Sequence, residues 1–226
     1  MGGMTEIQKE IRQYLISQGA SDVGFARLGD NDCSLKFAVS IVVRLSDAII
    51  DEIDDKPTHT YFNHYRSVNF LIDGLLLKCG LFLQQRGYRY ITVAASQSIN
   101  KDGWNYNGRY SHKEAARLAG LGTIGKNSLF IHRDFGPSVR LGTVFTDCEF
   151  VTGEPLTECL CGDCRLCVDA CPAKAITGSE WSTQAVRSDM FYPERCSNYM
   201  KEHFKDIGRG AVCGICMRVC PRRQNR

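Results

Sequence analysis

No stretch of the 226-residue sequence offers the ~20 uninterrupted apolar residues that a bilayer-spanning helix needs. The most apolar segment, Val68 to Leu83, is shorter and carries Asp73 and Lys78, which predicts a buried helix. The opening residues, MGGMTEIQKE, lack a basic segment followed by an apolar run, so no secretory leader is expected and a cytoplasmic setting is. No unit of 20–50 residues recurs, which sets aside solenoids and propellers. With 6 Pro and 21 Gly, 43% hydrophobic and 23% charged residues, the composition excludes collagen-like, low-complexity and disordered chains. One residue type is abundant. There are 12 cysteines, and because disulfides are rare in the cytosol, so many thiols point to metal.

Cys33, Cys79 and Cys148 are scattered and read as small buried apolar residues. The other nine crowd between 159 and 220. Cys161, Cys164, Cys167 and Cys171, followed by Pro172, form C-x2-C-x2-C-x3-C-P; Cys213, Cys216 and Cys220, followed by Pro221, form C-x2-C-x3-C-P, with Cys196 upstream. The first run has the bacterial ferredoxin spacing, in which the fourth cysteine ligates the other [4Fe–4S] cluster. Three thiolates two residues apart reach round one cube, and the x3-Cys-Pro step carries the next sulfur across to its neighbour. Crossing over gives Cys161, Cys164, Cys167 and Cys220 for one cluster, and Cys171, Cys196, Cys213 and Cys216 for the second. Cys159 is the nearest rival to Cys161, at the wrong spacing. Zinc also uses paired C-x2-C motifs, but a closed four-ligand site has no use for the continuous run or the two Cys-Pro ends.

Along the chain, Thr5 and Gln8 make a capping box for a helix bearing Ile7, Ile11 and Leu15 and closed by Gly19. Phe37–Val43, Tyr90–Ala95, Ser128–His132 and Val139–Thr146 read as strands. Helices are expected over His59–Gln85, with Leu71, Leu75, Cys79 and Phe82 on one stripe and Gly87 as the stop, and over Ser111–Ala119. The elements mix without a regular βαβ repeat, which suggests an α+β structure. A boundary near Asp147–Glu158 divides a domain over 1–150 from a cluster domain over 151–226. Asp51, Glu52, Asp54 and Asp55 read as a solvated acidic turn. Residues 195–226 carry a net charge of +6 against −3 for the rest. Arg222, Arg223 and Arg226 are candidates for a patch that meets nucleic acid or an acidic redox partner, or that merely offsets the clusters' charge.

Gly120-Leu-Gly122-Thr-Ile-Gly125-Lys126-Asn127 fits both G-x-G-x-x-G and most of G-x-x-x-x-G-K. Those motifs need a strand before the glycines and a helix after them. Here the order is reversed, so nucleotide binding is not expected. The segment reads either as a helix end with a tight turn or as a ligand loop of Gly122, Gly125, Lys126, Asn127 and Ser128. His64 and Tyr65, with Tyr61 at helical spacing, either line a cofactor pocket or dress an exposed helix start. Trp104 and Trp181 read equally as core or as functional residues.

"HKEAARLAGLGTIGKNSLFIHRDFGPSVRLGTVFTD" (112–147), "CGDCRLCVDACPAKAI", "RCSNYM" and "CGICMRVCP" together resemble the epoxyqueuosine reductase family and its double-cluster relatives, with reductive dehalogenases similar in plan. The resemblance covers roughly 85–221. It implies a nitroreductase-like, cobalamin-binding α+β domain followed by a small ferredoxin-like module with two [4Fe–4S] clusters, electrons passing from clusters to a corrinoid over the 120–128 loop. It also implies a reduced ferredoxin- or flavodoxin-type electron donor and a tRNA base, a small organic molecule or the corrinoid itself as substrate. Two features depart from the family. Its catalytic acid is expected near Val93–Ser96, where this chain has Ala94, and the sequence given stops at Arg226 without the helical extension that helps hold tRNA. A dehalogenase-like proton donor would be Tyr106 or Tyr110, the latter near Lys113. The competing readings are a ferredoxin-like electron carrier whose N-terminal domain docks a partner, and a nucleic-acid-binding protein with structural clusters.

Overall fold

The computed structural model describes residues 3–29, 34–99 and 106–223; Cys33, Trp104 and Arg226 lie outside them. Contacts divide the chain into two units, and neither is a continuous stretch. The first comprises 1–44, 68–122 and 140–156; the second comprises 45–67, 123–139 and 157–226. The sequential division at residue 150 therefore describes only the last crossing. Two earlier segments join the cysteine-rich end, through side chains named below, and local sequence carries no sign of such long-range pairing.

In the first unit, α1 (Glu6–Ser17) starts at Thr5, whose N–H donates to Gln8 Oε1 at 3.1 Å. Gln8 is fully buried because it also meets the backbone of Val151 twice, donating to its carbonyl at 2.8 Å and accepting from its N–H at 3.0 Å. A four-stranded sheet runs in the order β1 (Asp22–Arg27), β2 (Phe37–Arg44), β6 (Val139–Thr146), β3 (Tyr90–Val93). β1 pairs antiparallel with β2, Phe25 opposite Val39; β3 pairs antiparallel with β6, Val93 opposite Thr143. β2 is buried from Ala38 to Val43 without alternation, so both of its faces are covered. α1 packs on β1, and α4 (His112–Leu118) on β1 and β2.

The 26-residue α3 (His59–Gln84) begins nine residues before the apolar stretch and extends just past its end. By length and composition alone it would pass for a membrane span. Its buried stripe is Val68, Ile72, Leu75, Leu76, Cys79 and Leu83, with Leu71 exposed and Phe82 half-buried. The stripe is rotated from the expected one because Gly142 of β6 admits the helix closely: a Cβ there would lie 2.5 Å from Ile72 Cγ2 and 3.0 Å from Leu76 Cδ2. Cys79 and Cys148 are buried, as expected.

His112, at the start of α4, fastens that helix to the sheet. Its Nε2 lies 3.0 Å from the Ala94 carbonyl and its Nδ1 lies 2.8 Å from Thr143 Oγ1. A carbonyl only accepts, so Nε2 carries the proton and Nδ1 takes the threonine hydroxyl. Desolvation lowers the imidazole pKa from its ordinary 6.5, outweighing the help of the Ala94 carbonyl. The unfolded chain then binds the proton first as acid is added. Stability from this group is complete above pH 6.5 and declines below it, until the folded histidine itself titrates. His112→Ala should cost about 1–3 kcal/mol by orphaning both partners and should flatten the acid limb of a denaturation-versus-pH series.

The second unit is built of short pieces: α2 (Asp47–Asp51), the hairpin strands β4 (Gly122–Ile124, its first residue still in the first unit) and β5 (Phe130–His132), then α5 (Leu166–Asp169), α6 (Arg187–Met190), α7 (Pro193–His203) and α8 (Ile215–Arg218). Three of its helices have four residues. α5 packs against α8, which brings the two cysteine motifs side by side.

Candidate iron–sulfur centres

The cysteine motifs form two groups of four thiols within the second unit. Cys161, Cys164, Cys167 and Cys220 line one small cavity with Asn127, Ile131, Pro221 and Arg222. Within it, Cys161 and Cys167 each feel Cys220, and Cys167 and Cys220 each feel Cys164. Cys171, Cys196, Cys213 and Cys216 are the second group: Cys196 neighbours Cys171 and Cys213, and Cys216 neighbours all three. Cys167 and Cys171, one turn apart in sequence, fall into different groups. Chain geometry explains the split. Val168 and Leu166 carbonyls close the short turn that ends at Cys171, and Pro172 forbids its continuation. In the other motif Gly214 adopts φ +86°, a left-handed residue that turns the chain between Cys213 and Cys216. A Cβ at Gly214 would also lie 2.7 Å from Ile53 Cδ1 and 3.0 Å from Tyr61 Cε1, so Tyr61 is buried packing rather than an exposed helix start.

Burial raises six of the eight thiols above their ordinary pKa: Cys161 and Cys167 to about 11, Cys196 to about 12, and Cys213, Cys216 and Cys220 upward as well, with neighbouring thiols adding to each shift. A polycationic iron centre supplies the charge that makes four neighbouring thiolates stable, and its binding releases their protons. The donor sets therefore fit [4Fe–4S] clusters. Cys159 hydrogen-bonds Cys161 but does not wall the cavity.

The glycine segment is a β4–β5 hairpin closed by Gly125 N–H to Leu129 O at 2.9 Å and Ser128 N–H to Gly125 O at 2.8 Å, with Ser128 at φ +58°. The helix before and strand after it match the expected order. Lys126 and Asn127 are buried, and the cysteine module is what they touch. Lys126 N–H points to Cys161 Sγ at 3.4 Å and its ammonium to the Gly162 carbonyl, with Glu180 Oε1 at 3.7 Å. Asn127 Nδ2 donates to the Cys216 carbonyl at 3.3 Å, and its Oδ1 accepts from Leu129 N–H at 3.1 Å. His64 Nε2 accepts the Ser46 N–H at 3.0 Å, at the start of α2, and burial lowers its pKa. Tyr65 stacks obliquely by Tyr61 at 6.5 Å. These residues, expected to face a cofactor, thus have partners inside the unit.

The proton-donor candidates belong to the first unit. Tyr110 packs edge-on to Phe145 at 5.3 Å, and burial raises its pKa to about 12, a poor acid at neutral pH. Tyr106 sits at φ +57°. The segment beginning at Ala94 is braced by His112, by Asp73, which accepts from Ala95 N–H at 2.9 Å, and by Arg140, which reaches the Ala95 carbonyl at 3.3 Å and Ser96 Oγ at 3.2 Å.

One expectation needs correction. Arg223 is not part of a free basic patch: its guanidinium bonds Asp51 at 3.0 Å and lies 3.7 Å from Asp47, its side chain only 11% exposed. Arg218 also approaches Asp51 at 3.7 Å. The acidic segment read as a solvated turn is in part the counter-charge of the basic C-terminal one. Their opposite signs were the available signal.

Residues 160–223 match the 4Fe-4S double cluster binding domain. Over 108 residues, 47% of this chain, the sequence is 35% identical to the epoxyqueuosine reductase of Lactococcus garvieae, a match that spans 30% of that protein's length. In fold, the whole chain superposes on a third of a reductive dehalogenase described as B12-dependent, with a TM-score of 0.76 at 17% identity. It also superposes over 98% of its length on two thirds of the epoxyqueuosine reductase from Streptococcus thermophilus, with a TM-score of 0.61 at 20% identity. The chain is thus similar in sequence to epoxyqueuosine reductases over about half its length, and in mixed helix-and-sheet fold to them and to reductive dehalogenases throughout.

Proposed function

We propose that this protein is an iron–sulfur oxidoreductase in which Cys161, Cys164, Cys167 and Cys220 hold one [4Fe–4S] cluster and Cys171, Cys196, Cys213 and Cys216 another. When bound, such clusters supply single electrons; a cobalamin, as in the B12-dependent structural relative, is the proposed acceptor, and a reduced ferredoxin- or flavodoxin-type protein the proposed donor. The observation that carries the reading is the pairing of two distant cysteine motifs into two four-thiol groups. The chain's own part is to orient the thiols through α5, α8 and the Pro172 and Pro221 stops. It also buries Cys167 and Cys171 and lends backbone N–H donors to the sulfurs of Cys161 and Cys171, the latter from Ala175 at 3.4 Å. The substrate of the full reaction is proposed to be a tRNA base, a small organic molecule or the corrinoid itself.

A second reading, a two-cluster electron carrier without corrinoid, is favoured by the internal partners of Lys126, Asn127 and His64. Each of these side chains already has at least one partner within the unit. Reconstitution with iron and sulfide without oxygen, reduction, then addition of cobalamin separates the two. A changed visible spectrum of the corrin at one equivalent is expected of the oxidoreductase. An unchanged spectrum, with clusters loaded, would leave the carrier.

A further inference from the structure

The two thiol groups differ in the charge beside them. Lys126 is the charged residue of the β4–β5 hairpin, and its side chain is only 8% exposed. Its N–H meets Cys161 Sγ, its ammonium is fixed by the Gly162 carbonyl one residue along, and Glu180, itself 54% exposed, stands 3.7 Å from Nζ. Cys220, of the same group, takes backbone N–H donors from Arg222 and Arg223 and feels the Arg222 charge. Among the described residues, the second group's thiols have one another, Cys167 of the first group and the backbone N–H groups of Ala175 and Ile215 as neighbours.

We propose that Lys126 sets the potential of the cluster held by Cys161, Cys164, Cys167 and Cys220, making it the more easily reduced of the pair. Reduction adds one negative charge to a cluster. A buried ammonium and N–H···S bonds favour that added charge, and burial keeps water from screening it. Glu180 opposes the ammonium, so the net field is their difference. Lys126 is on this account a positioning and tuning residue, which touches no substrate. The proposal rests on the two-cluster reading above.

The test is an anaerobic potentiometric titration of the full-length loaded protein, followed by electron paramagnetic resonance, for wild type, Lys126→Met and Glu180→Gln. Lys126→Met is expected to weaken reduction of one cluster about tenfold, a downward shift of ~59 mV for a one-electron couple, with the other unmoved. Glu180→Gln is expected to shift the same cluster upward. If Lys126→Met fails to load that cluster, Glu180→Gln alone decides: an upward shift supports the proposal, and an unmoved potential overturns it. Clusters present in all three proteins with unchanged potentials would also overturn it while leaving the two-cluster reading intact. Wild-type protein without two clusters would instead remove the reading beneath it.

Discussion

Cys167→Ala and Cys171→Ala should each lower the iron content from about eight to about four per chain, yet they should remove different clusters. The two residues are separated by one turn, so a sequential assignment, in which 161–171 hold one cluster, predicts that both remove the same one. The structure groups Cys167 with Cys161, Cys164 and Cys220, and Cys171 with Cys196, Cys213 and Cys216. Cys220→Ala should therefore reproduce the spectrum of Cys167→Ala, and Cys213→Ala that of Cys171→Ala. Iron analysis with electron paramagnetic resonance of the reduced variants checks the pairing. Identical residual spectra for Cys167→Ala and Cys171→Ala would contradict the crossed sets.

Removal of iron should dismantle the second unit and spare the first. The second unit has three four-residue helices, a three-residue-strand hairpin and a core in which Cys167 and Cys171 pack with Ala175 and Ile176 beside Cys196 and Cys216. Helices that short do not persist alone, and where ligands supply the core, metal-binding energy is folding energy. The first unit has its own sheet and an apolar core that includes Leu28, Leu35, Ala38, Val93 and Phe145. Hydrogen exchange before and after chelation should show protection falling by about a thousandfold or more, roughly 4 kcal/mol, over 45–67, 123–139 and 157–223. The sheet strands should change little. Equal loss in both units would show that the units do not unfold independently.

The two earlier segments are a specific part of that prediction, since sequence did not join them to the cysteines. What sequence did disclose was local. Thr5, Gln8 and Gly19 bounded α1, Gly87 followed α3, and the segments read as strands over 37–43 and 139–146 matched β2 and β6. These signals act over a few bonds, through caps, left-handed glycines and a continuous apolar run. The thiol groups were legible for the same reason, because ligand spacing measures how far a chain can reach round one cluster. β1 was not legible: Asp22–Arg27 is charged at both ends with a glycine inside, and its pairing with β2 supplies what propensity does not. Nor was α2, whose Asp47 and Asp51 answer Arg223 from some 170 residues away. The role of Lys126 was hidden for a related cause. Its glycine setting suggested a ligand loop, but its partners Cys161, Gly162 and Glu180 are fixed only once the hairpin meets the cysteine module.

The most direct measurement is iron and acid-labile sulfide per polypeptide in protein purified and reconstituted without oxygen. Two [4Fe–4S] clusters require about eight of each. Zinc in place of iron, or about four irons with a single cluster spectrum, would contradict the account.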